Sequence, residues 1–248
     1  MPGFTDTAEP SSRLTPPKKP EDFSQGALLD LFNDVSDLIS PTYWITEAYD
    51  AVLGFNPLDE VVQWFAGDWE SFAKCAEVWQ NIGKACDDIA DNITSGNKAL
   101  DSTWNGHAAD SAYVYFDELA KKLKQSGETY DSLTDAYKYL AHAAYSAAEA
   151  IKGYLGGILD GLIIVGIELA AGTLLSWTGA GALVGYGLAA LEVTRILKMW
   201  GEATETFGNA QAIVNGGVGT IEGLAAAIYS HLQNFPEVGG TYDNPAVA

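Results

Sequence analysis

The sequence is poor in basic residues. Lysine and arginine together number 13 against 33 acidic residues, a formal net charge of −20. Such a surface repels phosphate backbones, which excludes nucleic acid as an expected partner. It also disfavours docking on anionic lipid, where basic clusters do the attracting. Proline is absent between Pro57 and Pro236, so the middle of the chain is free to form long helices. Only two cysteines occur, Cys75 and Cys86. Both fall in one helical stretch, ~16 Å apart at helical rise, too far for a disulfide between them. The three histidines have no metal-like spacing with Cys, Asp or Glu, and Asp87, Asp88 and Asp91 read as a solvated helix face. No Gly-x-Ser-x-Gly, phosphate loop or dinucleotide fingerprint is present, so no cofactor and no catalytic group is expected. The first residues, MPGFTDTAEPSSRLTPPKKPEDF, lack an apolar stretch after a basic start, which leads us to expect no Sec-type signal.

What the sequence has is hydrophobic content, 48%, arranged with helical periodicity. From Ala109, apolar or small residues recur at Ala112, Phe116, Leu119, Leu123, Ser126, Tyr130, Leu133, Tyr137, Leu140, Ala144, Ala147 and Ile151. The steps alternate three and four, a sustained heptad seam in which only Ser126 is clearly polar. A weaker seam precedes it, on Trp69, Phe72, Ala76, Trp79, Gly83, Cys86, Ala90, Ile93, Asn97, Leu100 and Trp104. Gly83 and Asn97 sit on that seam, and Gly96 lowers helix propensity beside it. Two such seams joined by a short turn should pack as an antiparallel hairpin, with a second arm ~65 Å long. A third seam runs over Ile196, Trp200, Ala203, Phe207, Ala210, Val214, Gly217, Ile221, Leu224 and Ile228.

The fold class read from this pattern is all-α. A long antiparallel helical hairpin is joined by a second, glycine-rich hairpin in an elongated helical bundle. The expected organisation is a disordered tail at 1–22, short leading helices at 23–66 and the hairpin at 67–151. A glycine-rich apolar hairpin with a long final helix follows at 152–235, then a disordered tail at 236–248.

The turn between the first two seams carries Trp104-Asn105-Gly106. The tripeptide Trp-x-Gly occurs twice, again at Trp177-Thr178-Gly179, so position must separate them. The first sits where two heptad helices meet. Glycine relieves the steric limit on the reversal, Asn105 can cap the second arm, and Trp104 falls on the seam, where its ring can plug the hairpin tip. With these residues the sequence resembles the WXG family of small helical-hairpin proteins exported by type VII (ESX) secretion systems. The resemblance covers about residues 67–151. In that family a second element, Tyr-x-x-x-Asp/Glu, follows the second helix and completes a bipartite export signal. Three matches exist here: Tyr43/Glu47, Tyr113/Asp117 and Tyr145/Glu149. Tyr145/Glu149, near the end of the second arm, stands where the family pattern puts it. Tyr43/Glu47 stays open as an alternative if upstream helices replace a partner chain.

The resemblance therefore implies an export signal of Trp104, Gly106, Tyr145 and Glu149, read by the secretion ATPase. It implies a non-enzymatic protein that is cytoplasmic before export and then secreted or in the cell envelope, by a route that needs no signal peptide. A 41-residue separation on one straight arm spans ~60 Å, so a composite signal calls for a homo-oligomer or a helical-hairpin partner. The chain is larger than the small family members, and the leader of a secreted toxin is an alternative. Residues 169–191 carry no charge, and Gly153, Gly157 and Gly161 recur every four residues ahead of them. That segment, with Trp177 and Gly179 at its break, reads as a packed second hairpin or, alternatively, as a membrane-inserting pore or translocation element over 153–191.

Overall fold

The computed structural model describes residues 5–18, 69–174 and 180–236, with the side chains of 167–188 left out of the description. Among these residues there are three α-helices and no strand: α1 (Trp69–Asp101), α2 (His107–Leu174) and α3 (Ala180–Gln233). The protein is all-α, as its periodicity requires. A single 3₁₀ turn, Pro10–Arg13, lies ahead of them. The leading helices expected at 23–66, the turn residues 175–179 and the tail from 237 lie outside the described residues. The chain divides into two compact units, one built from residues 1–19, 71–139 and 216–248, the other from 20–70 and 140–215.

In the first unit α1 and the first part of α2 form the hairpin. Phe72 meets Tyr137, with ring centroids 5.3 Å apart, and Trp79 stacks on Tyr130 at 5.7 Å. Farther along, Lys124 pairs with Asp91 at 2.9 Å, and the Asn97 amide donates to the Tyr113 carbonyl at 2.9 Å. As residue numbers rise on α1 they fall on α2, which is antiparallel packing. Ala76, Ala90, Ala120 and Leu133 form the buried stripe between them.

Gly83, a weak point in the periodicity, is a point of close approach. A Cβ on Gly83 would stand 3.3 Å from Tyr130 and 3.4 Å from the Gly127 carbonyl. A Cβ on Gly127 would stand 2.8 Å from Asp87 Oδ1. The two facing glycines let the backbones come together where a larger pair would hold them apart. Asn97, the other polar seam position, is buried and satisfied by its bond to Tyr113. Residues 5–18, which read as part of a free tail, instead lie along α1, held by polar contacts that leave no periodic trace in a sequence.

In the second unit the buried stripe of α2 continues without a helix break. Leu140, Ala144, Ala147 and Ile151 are followed by Leu155, Ile158, Leu162 and Val165. The steps from Ala144 to Leu155 are three, four and four, an eleven-residue spacing that keeps the stripe on one face. Facing it, α3 buries Ala189, Ile196, Ala203 and Ala210. A Cβ on Gly157 would stand 2.8 Å from Met199 Sδ, and one on Gly161 would stand 2.9 Å from Ile196 Cγ1. Here too the contacts are antiparallel.

Candidate functional site

The turn between α1 and α2 is built from the ends of the two helices. α1 ends at Asp101, and the N–H groups of Thr103 and Trp104 donate back to the Leu100 carbonyl at 3.0 and 2.9 Å. The Ser102 hydroxyl donates to the Ala99 carbonyl at 2.7 Å. These bonds satisfy carbonyls that the last helical turn leaves open. Gly106 then takes φ +105°, in the left-handed region that favours glycine, and it is the only described residue with a positive φ. Its carbonyl accepts the first bond of α2, from the Asp110 N–H at 3.0 Å. Gly106, rather than Asn105, is therefore the residue that caps the second arm, because the reversal itself requires the left-handed conformation next to the helix.

Trp104 does not plug the tip. It is 41% exposed, since α1 stops three residues short of it and the seam has no helical partner left to cover the ring. Nothing lies within 4 Å of where a Gly106 side chain would start. The result is a partly exposed indole beside an open, glycine-shaped turn. Leu100 is exposed on the helix side, and Val114 and Phe116 are exposed two to three turns into α2. An exposed Trp with exposed aliphatic and aromatic neighbours in sequence is a surface that a partner can cover.

Tyr145 and Glu149 lie one turn apart on α2, with Tyr145 half-buried and Glu149 exposed. Tyr113, in the competing match, is half-buried on the hairpin, and Asp117 is paired with Lys121 at 2.7 Å. Tyr43 and Glu47 lie outside the described residues, as do Trp177 and Gly179. Of the glycines in the apolar segment, Gly157 and Gly161 sit against α3, whereas Gly153 is exposed with open space around it. Cys75 and Cys86 are both half-buried free thiols on α1. Burial, and then the charge of Asp87, hold the Cys86 thiol above its ordinary pKa.

Beside the hairpin, Asp87 is also pushed above the ordinary aspartate pKa, first by burial. Asp131, Asp91 and Asp88 add to the rise, and Lys124 opposes it. Among the described residues no group of three or more His, Cys, Asp or Glu is placed to hold a metal ion.

Sequence reasoning missed one contact surface, the outer face of α1 against which residues 5–18 lie. Its signal is an Asn, an Asp, another Asn and a Glu at helical spacing, which by pattern alone is an ordinary solvated face.

A family profile described as a WXG100-like domain matches residues 58–199, a wider span than the hairpin alone. No curated protein and no solved structure matches the chain. The profile covers more than half of the sequence, and its expected hairpin, turn and all-helical fold are present. The chain therefore belongs to the WXG100-like family of type VII secretion-related helical proteins.

Proposed function

We propose that this protein is a non-enzymatic substrate of a type VII secretion system. It leaves the cytoplasm as a folded helical hairpin and acts outside as a structural, interaction or effector protein. Trp104 and Gly106 form one half of the export signal, and Tyr145 with Glu149 the other. The observation that carries the proposal is the exposed Trp104 indole at the tip turn, beside a glycine held at φ +105° with no neighbour within 4 Å. The exposed part of a large aromatic is unfavourable for the isolated chain and useful to one that is recognised there. The secretion ATPase is the reader this implies. The 41-position separation of Trp104 and Tyr145 favours completion of the signal by a second copy or a hairpin partner.

The test is export of Trp104→Ala in the native host. The variant keeps its helical circular dichroism and melting but stays in the cell pellet, as does the wild type in a strain without the secretion ATPase. Unchanged appearance of either in the culture filtrate refutes the proposal.

A second reading, membrane insertion, is favoured by a segment that follows the one the sequence pointed to, residues 167–188 of which lie outside the described side chains. Leu155, Ile158, Leu159 and Leu162 are buried in the second unit, so this part of 153–191 is core. Among the described residues, a stretch long and apolar enough to cross a bilayer lies within Ala189–Gln233, and none of its most apolar window is buried. From 206 to 236 the only charged residue is Glu222. Flotation with neutral-lipid vesicles across pH tests this reading, and absence of both lipid association and leakage removes it.

A further inference from the structure

The face of α1 that carries residues 5–18 is distinct from the hairpin seam. Along it, Asn92 meets Thr7 and Ala8, Asp88 meets Arg13, Asn81 meets Thr15, and Glu77 meets Lys18. These four helix residues are separated by four, seven and four positions, which places them on one stripe. The strap runs antiparallel to α1 over about fifteen helical residues.

Recognition is mostly of main chain. Asn92 Oδ1 accepts from the Thr7 N–H at 2.8 Å, the Ala8 N–H at 3.1 Å and the Thr7 hydroxyl at 2.7 Å. Its Nδ2 donates to the Ala8 carbonyl at 2.9 Å. One carboxamide thus serves two successive donors and an acceptor of a backbone bend, Thr7–Ala8. The side chain is only 7% exposed, so its orientation is held by what covers it. The Lys18 N–H donates to Glu77 Oε2 at 2.6 Å, and Asn81 Nδ2 donates to the Thr15 carbonyl at 3.3 Å. One side chain is read by charge: Arg13 Nε donates to Asp88 Oδ2 at 2.7 Å, with Nη2 3.4 Å from Oδ1. Across residues 5–18, Arg13 and Lys18 balance Asp6 and Glu9, so the charge that is read is the local one of Arg13.

Its apolar hold is slight, with Ala8, Pro10 and Pro17 only partly covered. No residue from 5 to 18 is buried, and Leu14 is 60% exposed. Hydrogen bonds and an ion pair at the surface are individually weak, so the strap can leave without opening either hydrophobic stripe.

We infer that this face of α1 is a docking site for a peptide segment that offers its main chain and one arginine, and that residues 5–18 are its resident, exchangeable occupant. The site requires two consecutive free N–H groups and a carbonyl at the Asn92 position, and an arginine six residues later. The same segment of a second copy of this chain meets those requirements and takes the seat in trans. The assignment is independent of the export reading.

The test uses full-length variants and a fluorescent synthetic peptide of residues 5–18. Replacing Thr7 and Ala8 together by proline removes both main-chain donors without touching α1. That variant is cut by trypsin after Arg13 at least about tenfold faster than wild type, and it binds the labelled peptide saturably where wild type, its seat filled, binds it less. Adding Asn92→Ala to the double-proline chain weakens peptide binding by at least about tenfold. Asp88→Asn, nearly isosteric, in the same background gives a smaller loss and flattens the salt dependence. An unchanged tryptic rate in the double-proline variant overturns the main-chain reading. Peptide binding that is absent from the double-proline variant, or equal with and without both α1 substitutions, overturns the docking site.

Discussion

Alanine at Gly153 and alanine at Gly161 are predicted to move stability in opposite directions, although the chemical change is the same. Both glycines lie inside α2, where replacing glycine by alanine gains about 0.8–1.0 kcal/mol of helix propensity. At Gly153 nothing lies within 4 Å of the new Cβ, so the gain is kept. At Gly161 the new Cβ meets Ile196 Cγ1 at 2.9 Å and Cδ1 at 3.2 Å, and Ile196 is fully buried. The obstruction is the branch of a packed side chain, which cannot swing aside. Overpacking of this kind costs about 1–3 kcal/mol, leaving a net loss of about 0–2 kcal/mol. Gly157 falls between them: its Cβ would meet Met199 Sδ at 2.8 Å, but a thioether near the end of an unbranched chain can move, so Gly157→Ala is close to neutral. Urea titrations followed by far-ultraviolet circular dichroism rank the three variants. Ile196→Ala removes the obstruction and makes Gly161→Ala favourable, a coupling that a double-mutant cycle measures. Equal stabilisation by Gly153→Ala and Gly161→Ala would refute the close approach of α2 and α3.

Gly106→Ala is expected to destabilise the hairpin by about 1–2 kcal/mol through backbone strain alone, since no neighbour obstructs the side chain. Thermal melts check this, and Gly106→Asn, which tolerates the left-handed region better, should lose less. Asp87→Asn is expected to stabilise the protein at neutral pH. The folded Asp87 has a raised pKa, so the native state binds the proton more tightly than the unfolded chain and loses stability as pH rises through the folded value. The advantage of the variant over wild type therefore fades as pH falls below the ordinary aspartate range, and urea titrations at a series of pH values read it. A constant difference across that range would remove Asp87 as the cause.

The buried stripe of α2 was legible as far as Ile151 because polar residues alternate with apolar ones up to that point. Beyond it nearly every residue is apolar or glycine, so spacing cannot say which face is covered. The structure resolves the ambiguity by burying Leu155, Ile158 and Leu162 while Ile163 and Ile164 are exposed. The seam on α3 was legible for the same reason as the first: Ile196, Ala203 and Ala210 are buried as their spacing requires. Two readings failed physically rather than statistically. Gly83 weakens a helix in isolation, but the hairpin needs its missing Cβ so that α1 can approach Gly127. The strap at 5–18 has a composition that cannot form a core, and it docks instead by offering its backbone to Asn92. Side-chain-to-main-chain recognition requires almost nothing of the occupant's side chains, and so a sequence barely records it.

Trp104 shows how periodicity can be right about a helix and wrong about a residue. The seam continues through it in register, but burial needs a partner surface, and α1 ends at Asp101 before the ring can meet one. The exposed indole therefore contributes little to the hydrophobic stripe between α1 and α2, which is made by Ala76, Ala90, Ala120 and Leu133 farther from the turn. Its neighbour Gly106 contributes the opposite way, through a backbone conformation on which the reversal depends. The two members of one tripeptide are thus separable by experiment. A substitution at Gly106 disturbs the turn and whatever reads it together. Truncation of Trp104 leaves the turn's hydrogen bonds to Leu100 in place, so a loss of export in that variant alone reports recognition of the indole rather than damage to the fold.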